Sequence, residues 1–195
     1  DVVLHIGAAS SMVNVWVNEQ YVGYSEDSKT PAEFNVTQFL KKGENSLAIE
    51  IFRWCDGSYL EDQDFWRMSG ITRDIYLVAR AAQQLQDFRV VSVLDSTYVN
   101  GVFSLNIDVL NNGENAAATV VEAVLNDNGT TVQNFSKKLD AGQNSVVFDA
   151  TLPNVKQWSA EIPNLHELVI TVKNGENVVE VIRQDVGFRT SEIKN

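Results

Sequence analysis

Apolar residues recur at every second position over most of the chain, and the three-and-four spacing of an amphipathic helix is nearly absent. Val13, Val15 and Val17 alternate with Asn14, Trp16 and Asn18; Asn18-Glu19-Gln20 then leads into Tyr21-Val22-Gly23-Tyr24, which predicts a hairpin. Residues 25–31 read as a polar loop closed by Pro31, which cannot donate to a ladder. One helical turn is expected within 34–40, capped by Asn35 or Thr37. Strands are expected over 46–52 and 73–78, and residues 1–6 read as a strand already in progress, as in a piece cut from a longer protein.

Residues 81–86 are small and polar and read as a linker. Beyond it the pattern predicts strands over 87–94, 101–110, 117–126, 131–139, 145–152, 166–173 and 178–186. Asn112-Gly113, Asn128-Gly129, Ala141-Gly142 and Asn174-Gly175 fall between them, the chemistry of turns that need positive φ. Seven strands in about 100 residues match an immunoglobulin-like sandwich. The predicted fold is all-β: residues 1–80 form part of a jelly-roll sandwich, and 87–195 an immunoglobulin-like β-sandwich.

Composition narrows the function classes. The 195 residues are 44% hydrophobic and 21% charged, enough to bury sizeable cores. A net charge of −11 argues against nucleic acid, and no apolar run approaches the roughly 18–20 residues of a membrane helix. The start of the chain has no signal-peptide pattern. Cys55 is the single cysteine, so neither an intrachain disulfide nor a cysteine-built zinc site forms; this fits a reducing compartment and leaves a periplasm open. His5 and His166 have no ligand spacing and read as packed or surface residues, and the sequons at Asn35, Asn128 and Asn134 read as coincidence.

Candidate chemistry concentrates in one block. Between Asp56 and Arg67 stand five charged side chains, Asp56, Glu61, Asp62, Asp64 and Arg67, among Trp54, Tyr59, Phe65 and Trp66. Carboxylates beside aromatic faces hold sugars or cations, because rings cover the apolar face of a pyranose while fixed oxygens order its hydroxyls. The alternative is an acidic loop whose aromatics pin it to a core; Trp54, Tyr59 and Trp66 are assigned that anchoring role. Glu61, Asp62 and Asp64 do not form a glycosidase acid pair, since neighbours in an extended loop point apart and retaining enzymes hold their carboxyls about 5–5.5 Å apart in a closed pocket.

The stretch Trp54-x-Asp56-Gly57-Ser58-Tyr59-Leu60-Glu61-Asp62-Gln63-Asp64-x-Trp66-Arg67-x-Ser69-Gly70-Ile71 resembles a segment of the large bacterial β-galactosidases of glycoside hydrolase family 2. The blocks Val15-Trp16-Val17-Asn18 through Val22-Gly23-Tyr24-Ser25-Glu26-Asp27-Ser28, Pro31-Ala32-Glu33-Phe34, Trp158-Ser159-Ala160-Glu161-Ile162-Pro163-Asn164-Leu165 and Asp185-Val186-Gly187-Phe188-Arg189 follow the same family in the same order. Cys55 and Thr72 depart from it, standing where serine and an apolar residue are expected.

The resemblance implies a parent enzyme that hydrolyses terminal β-D-galactosides with retention, as a homo-oligomer. Its catalytic glutamates would lie in a (β/α)8 barrel following the immunoglobulin-like domain, leaving no catalytic residue in this chain. It implies that Asp64 binds substrate and ligates sodium, and that Asp56 stands in the outer shell of a magnesium ion, with neither metal held tightly here. The plain structural alternatives are an ion pair of Asp64 with Arg67 or Arg73, and a turn at Asp56-Gly57. Because the family's jelly roll begins further upstream, residues 1–80 are expected to expose apolar faces and strand edges, through which the piece self-associates or which close against the second domain. A stand-alone carbohydrate-binding module and a structural two-sandwich protein are the alternative functions.

Overall fold

A computed structural model describes residues 1–61, 66, 68–111 and 118–193. The chain divides into two compact units, Asp1–Arg80 and Ala81–Asn195, and both are built from antiparallel strands. No α-helix occurs among the described residues.

In the first unit, strands β1 (Val2–Ile6), β2 (Ala9–Ser10), β3 (Met12–Val17), β4 (Gln20–Ser25), β5 (Ala32–Asn35), β6 (Leu47–Phe52), β7 (Gly70–Ile71) and β8 (Ile75–Ala79) form three small sheets, ordered β5-β1-β8, β4-β3-β6 and β2-β7. Alternation supplies the core: Leu4 and Ile6 of β1 and Val13, Val15 and Val17 of β3 are buried around Val36. Asn18 (φ 50°) and Glu19 (φ 66°) make the two-residue turn of the β3–β4 hairpin, with both φ positive as a type I′ turn requires. The expected helical turn is a single 3-10 turn, Thr37–Phe39, where Asn35 Oδ1 accepts from Thr37 N at 3.0 Å. Strands β6 and β8 lie at sheet edges and leave Leu47, Phe52, Tyr76 and Leu77 exposed.

The second unit pairs β9 (Gln83–Leu94), β10 (Gly101–Asn111) and β13 (Ser145–Leu152) in one sheet, and β11 (Thr119–Asp127), β12 (Thr130–Lys138), β14 (His166–Asn174) and β15 (Asn177–Val186) in the other. This seven-strand, three-on-four arrangement is immunoglobulin-like. Phe103, Leu105, Ile107 and Val109 of β10 face Val121, Ala123 and Leu125 of β11 and Leu168, Ile170 and Val172 of β14 in one core. Strand β9 begins at Gln83, inside the stretch expected as linker. Gln83, Gln84 and Leu85 pair with Asn111, Leu110 and Val109, and Leu85 N also donates to Glu180 Oε2 at 2.7 Å. Backbone pairing there overrides the polar character of the glutamines.

Candidate functional site

The acidic block leaves the sheet at the end of β6 and enters a 3-10 turn, Asp56–Tyr59. Short polar contacts fix its root. The Ser11 hydroxyl donates to Cys55 Sγ at 3.1 Å and lies 3.0 Å from Ser58 Oγ, which itself accepts from Cys55 N at 3.0 Å. Ser11 and Ser58 are both buried. Gly57 O then accepts from Leu60 N and Glu61 N, both at 2.9 Å, closing the turn.

The neighbouring polar loop is tied to the same root. Glu61 Oε2 accepts from Ser28 Oγ at 2.6 Å, and Glu61 Oε1 from Ser28 N at 3.4 Å. Asp27 Oδ1 accepts from Lys29 N at 2.8 Å and Thr30 N at 3.0 Å, and hydrogen bonding from Thr30 and Lys29 holds its pKa below the usual carboxylate value. Arg73 Nη1 donates to Lys29 O at 3.1 Å. A cavity of about 250 Å³ lies between the loops, lined among others by Ser10, Ser11, Ser28, Arg53 and Glu61. Glu61 therefore works as a fastening between two loops.

Asp56 is exposed at the start of the turn and accepts from Gly57 N at 2.9 Å, the contact expected of an Asp-Gly turn. Its carboxylate also approaches Glu26: ligand atoms of Glu26, Cys55 and Asp56 lie within 4.8 Å of one another. Desolvation, followed by the charge and hydrogen bonding of Asp56, raises the pKa of Glu26. Two crowded carboxylates fit a hard cation such as magnesium, which takes oxygen ligands, whereas the Cys55 thiol does not. Asp64, with Asp62, Gln63, Phe65 and Arg67, lies outside the described residues.

The anchoring role expected of the aromatics is overturned. Trp54, Tyr59 and Trp66 are 55%, 84% and 87% exposed. Hydroxyl, thiol and backbone groups hold the root instead, so none of these three rings has to sink into the core. Arg53 places its guanidinium 5.5 Å from the Trp54 ring centroid, within cation–π range. Ser11, Ser28 and Glu26 escaped sequence reasoning; Glu26 and Ser28 stood in a block already singled out by resemblance, but Ser11 carries no signal of its own.

Each histidine packs against an aromatic ring within its own unit. His5 stacks on Tyr76 (4.5 Å between centroids) with Nδ1 2.9 Å from Glu33 Oε1, and His166 is buried edge-on to Phe188. Trp158 is half-buried in the second unit: its backbone N–H donates to Phe188 O at 2.9 Å, it bridges to Pro163, and the Arg189 guanidinium lies 5.0 Å from its ring centroid.

Comparison with known proteins agrees with this arrangement. The profile of the glycosyl hydrolases family 2 sugar binding domain matches residues 1–81, and that of glycosyl hydrolases family 2 matches residues 83–189. A beta-galactosidase of Priestia megaterium is 43% identical over 187 residues, covering 93% of this chain and 18% of the relative. One from Clostridium acetobutylicum is 40% identical over 183 residues, covering 93% and 20%. The chain thus spans about a fifth of the length of these relatives. Among solved structures, an FMN-binding beta-glucuronidase from Facaelibacterium prausnitzii superposes with a TM-score of 0.82 at 19% identity, over 96% of this chain and 29% of that one. With family profiles covering both units, the chain belongs to glycosyl hydrolases family 2.

Proposed function

We propose that this chain is the non-catalytic N-terminal region of a retaining β-galactosidase, and that it supplies scaffold and one active-site loop to a (β/α)8 barrel elsewhere in the parent. The observation that carries the reading is the acidic block itself: a loop fixed firmly at its root while Trp54, Tyr59 and Trp66 face outward. Large exposed rings mark a surface that another body covers. The exposed apolar residues on edge strands β6 and β8 support further strands, and a larger assembly, in the parent.

In this reading Asp64 contacts the galactoside and ligates sodium, and Asp56, with Glu26 beside it, stands in the outer shell of magnesium. The metals would order substrate hydroxyls and screen the crowded carboxylates; the chain's own task is to hold those carboxylates in place. The parent would cleave terminal β-D-galactosides, and this chain alone would be inactive.

The test joins the chain to its downstream sequence. Hydrolysis of a chromogenic galactoside is expected, weakened by Asp64→Asn; activity indifferent to that substitution overturns the role given to the loop. The exposed rings beside acids also support a second reading, a stand-alone carbohydrate-binding module. Galactose titrated into the 195-residue chain discriminates: saturable binding lost in Asp64→Ala favours the module, and no such binding is expected.

A further inference from the structure

Four Asn-Gly pairs occur in the sequence, at Asn100, Asn112, Asn128 and Asn174; Asn112 lies outside the described residues. Such a pair can deamidate. The glycine backbone nitrogen attacks the asparagine Cγ, the bond to Nδ2 breaks, and ammonia leaves a cyclic succinimide. Water then opens the ring at either carbonyl, giving aspartate or isoaspartate. The reaction requires a glycine nitrogen free of hydrogen bonding and a backbone able to rotate into the ring geometry.

The fold treats the three described pairs differently. Gly101 is buried in β10 and paired on both sides, with Leu94 and Leu152, while Asn100 donates through Nδ2 to Asp95 Oδ2 at 2.8 Å and accepts through Oδ1 from Asn154 N at 3.2 Å. Gly175 N is committed to Ala118 O at 2.9 Å, and Asn174 Nδ2 donates to Gln83 Oε1 at 3.3 Å. Asn128 and Gly129 form the exposed two-residue tip of the β11–β12 hairpin, with φ of 48° and 80°. Among the described residues Gly129 N–H meets no acceptor, and a Cβ placed on Gly129 would meet nothing within 4 Å.

We infer that Asn128 is a self-modification site, converting to aspartate and isoaspartate through the Gly129 nitrogen while Asn100 and Asn174 are protected by the fold. The turn must leave its left-handed conformation to react, and an exposed hairpin tip does so at low cost. The product has a consequence at this pole. Asn128 Nδ2 donates to Asp127 Oδ1 at 2.8 Å, and Asp127 Oδ2 holds Lys156 Nζ at 2.9 Å. Conversion replaces a donor by a like charge beside Asp127, and isoaspartate adds a backbone carbon to a turn that has room for two residues.

The experiment incubates the 195-residue chain at mildly alkaline pH and follows Asn100, Asn128 and Asn174 by peptide mass spectrometry, with fragmentation that separates isoaspartate from aspartate. Asn128 should convert about tenfold faster than the other two in the folded chain, the ratio a 1.4 kcal/mol smaller opening cost produces. In concentrated urea the three rates should converge. Asn100 or Asn174 keeping pace in the folded chain, or Asn128 unchanged while its urea-unfolded form converts, overturns the inference.

Discussion

Gly187 lies so close to Trp158 that a Cβ on the glycine would stand 2.9 Å from both Cβ and Cγ of the tryptophan. Trp158 is held there by its backbone N–H, which donates to Phe188 O, and by the Arg189 guanidinium over its ring. Two blocks that follow the family far apart in sequence are thus halves of one contact. Gly187→Ala should destabilise the second unit by about 1–3 kcal/mol, the usual cost of overpacking. A lowered urea midpoint followed by circular dichroism checks this; an unchanged midpoint would show that Trp158 gives way.

The Ser28–Glu61 contact should be worth about 1.5–3 kcal/mol locally, as expected of a hydrogen bond to a charged group. Ser28→Ala removes the hydroxyl and leaves one oxygen of Glu61 without its donor. Amide hydrogen exchange at Leu60 and Glu61 should accelerate, with the second unit unaffected. Uniform acceleration across both units would contradict a local fastening.

Glu26 should respond to its neighbour. In Asp56→Asn the repulsion and the shared hydrogen bond change, and the Glu26 pKa should fall part of the way toward the ordinary carboxylate value, the desolvation contribution remaining. A side-chain carboxyl titration by NMR reads this directly. A pKa unmoved by the substitution would leave desolvation as the whole cause.

His166 gives the second unit a pH dependence of calculable sign. Desolvation holds its pKa below the ordinary value, with Asp127 opposing and Lys156 reinforcing the shift. The unfolded chain takes up the proton near about pH 6.5, the folded chain only lower, so between the two the unfolded state binds more protons. Stability contributed by neutral His166 is complete above that range and is lost as pH falls through it, by at most about 1.4 kcal/mol per pH unit. Urea midpoints at about pH 7.5 and about pH 5.5 should differ in the unsubstituted 195-residue chain and differ less in His166→Phe. An equal difference in both would place the titrating group elsewhere.

Most of the second unit was legible because each strand alternates on its own and several turns announce themselves: Asn128, Gly129, Gly142 and Gly175 all adopt the positive φ that their residue types suggested, whereas Tyr98, also at positive φ, gave no such signal. The two-residue strands Ala9–Ser10 and Gly70–Ile71 were not, since two positions carry no period. Gln83 and Gln84 hid the start of β9, because ladder pairing asks nothing of side-chain polarity. At the candidate site the sequence located the acidic block but misplaced its rings. Aromatic residues are usually covered, and nothing in the local pattern distinguishes cover by one's own core from cover by another body. Ser11 and Ser58 were invisible for a related reason: a serine that anchors a loop looks like one that faces water.

Fastening by small hydroxyls has an evolutionary corollary. Because hydrogen bonds of Ser11, Ser28 and Ser58 hold the root of the excursion, the exposed rings of Trp54, Tyr59 and Trp66 are not needed to seat it. A lineage could retune what this excursion touches, ring by ring, while its foundation, Glu61 included, stays unchanged.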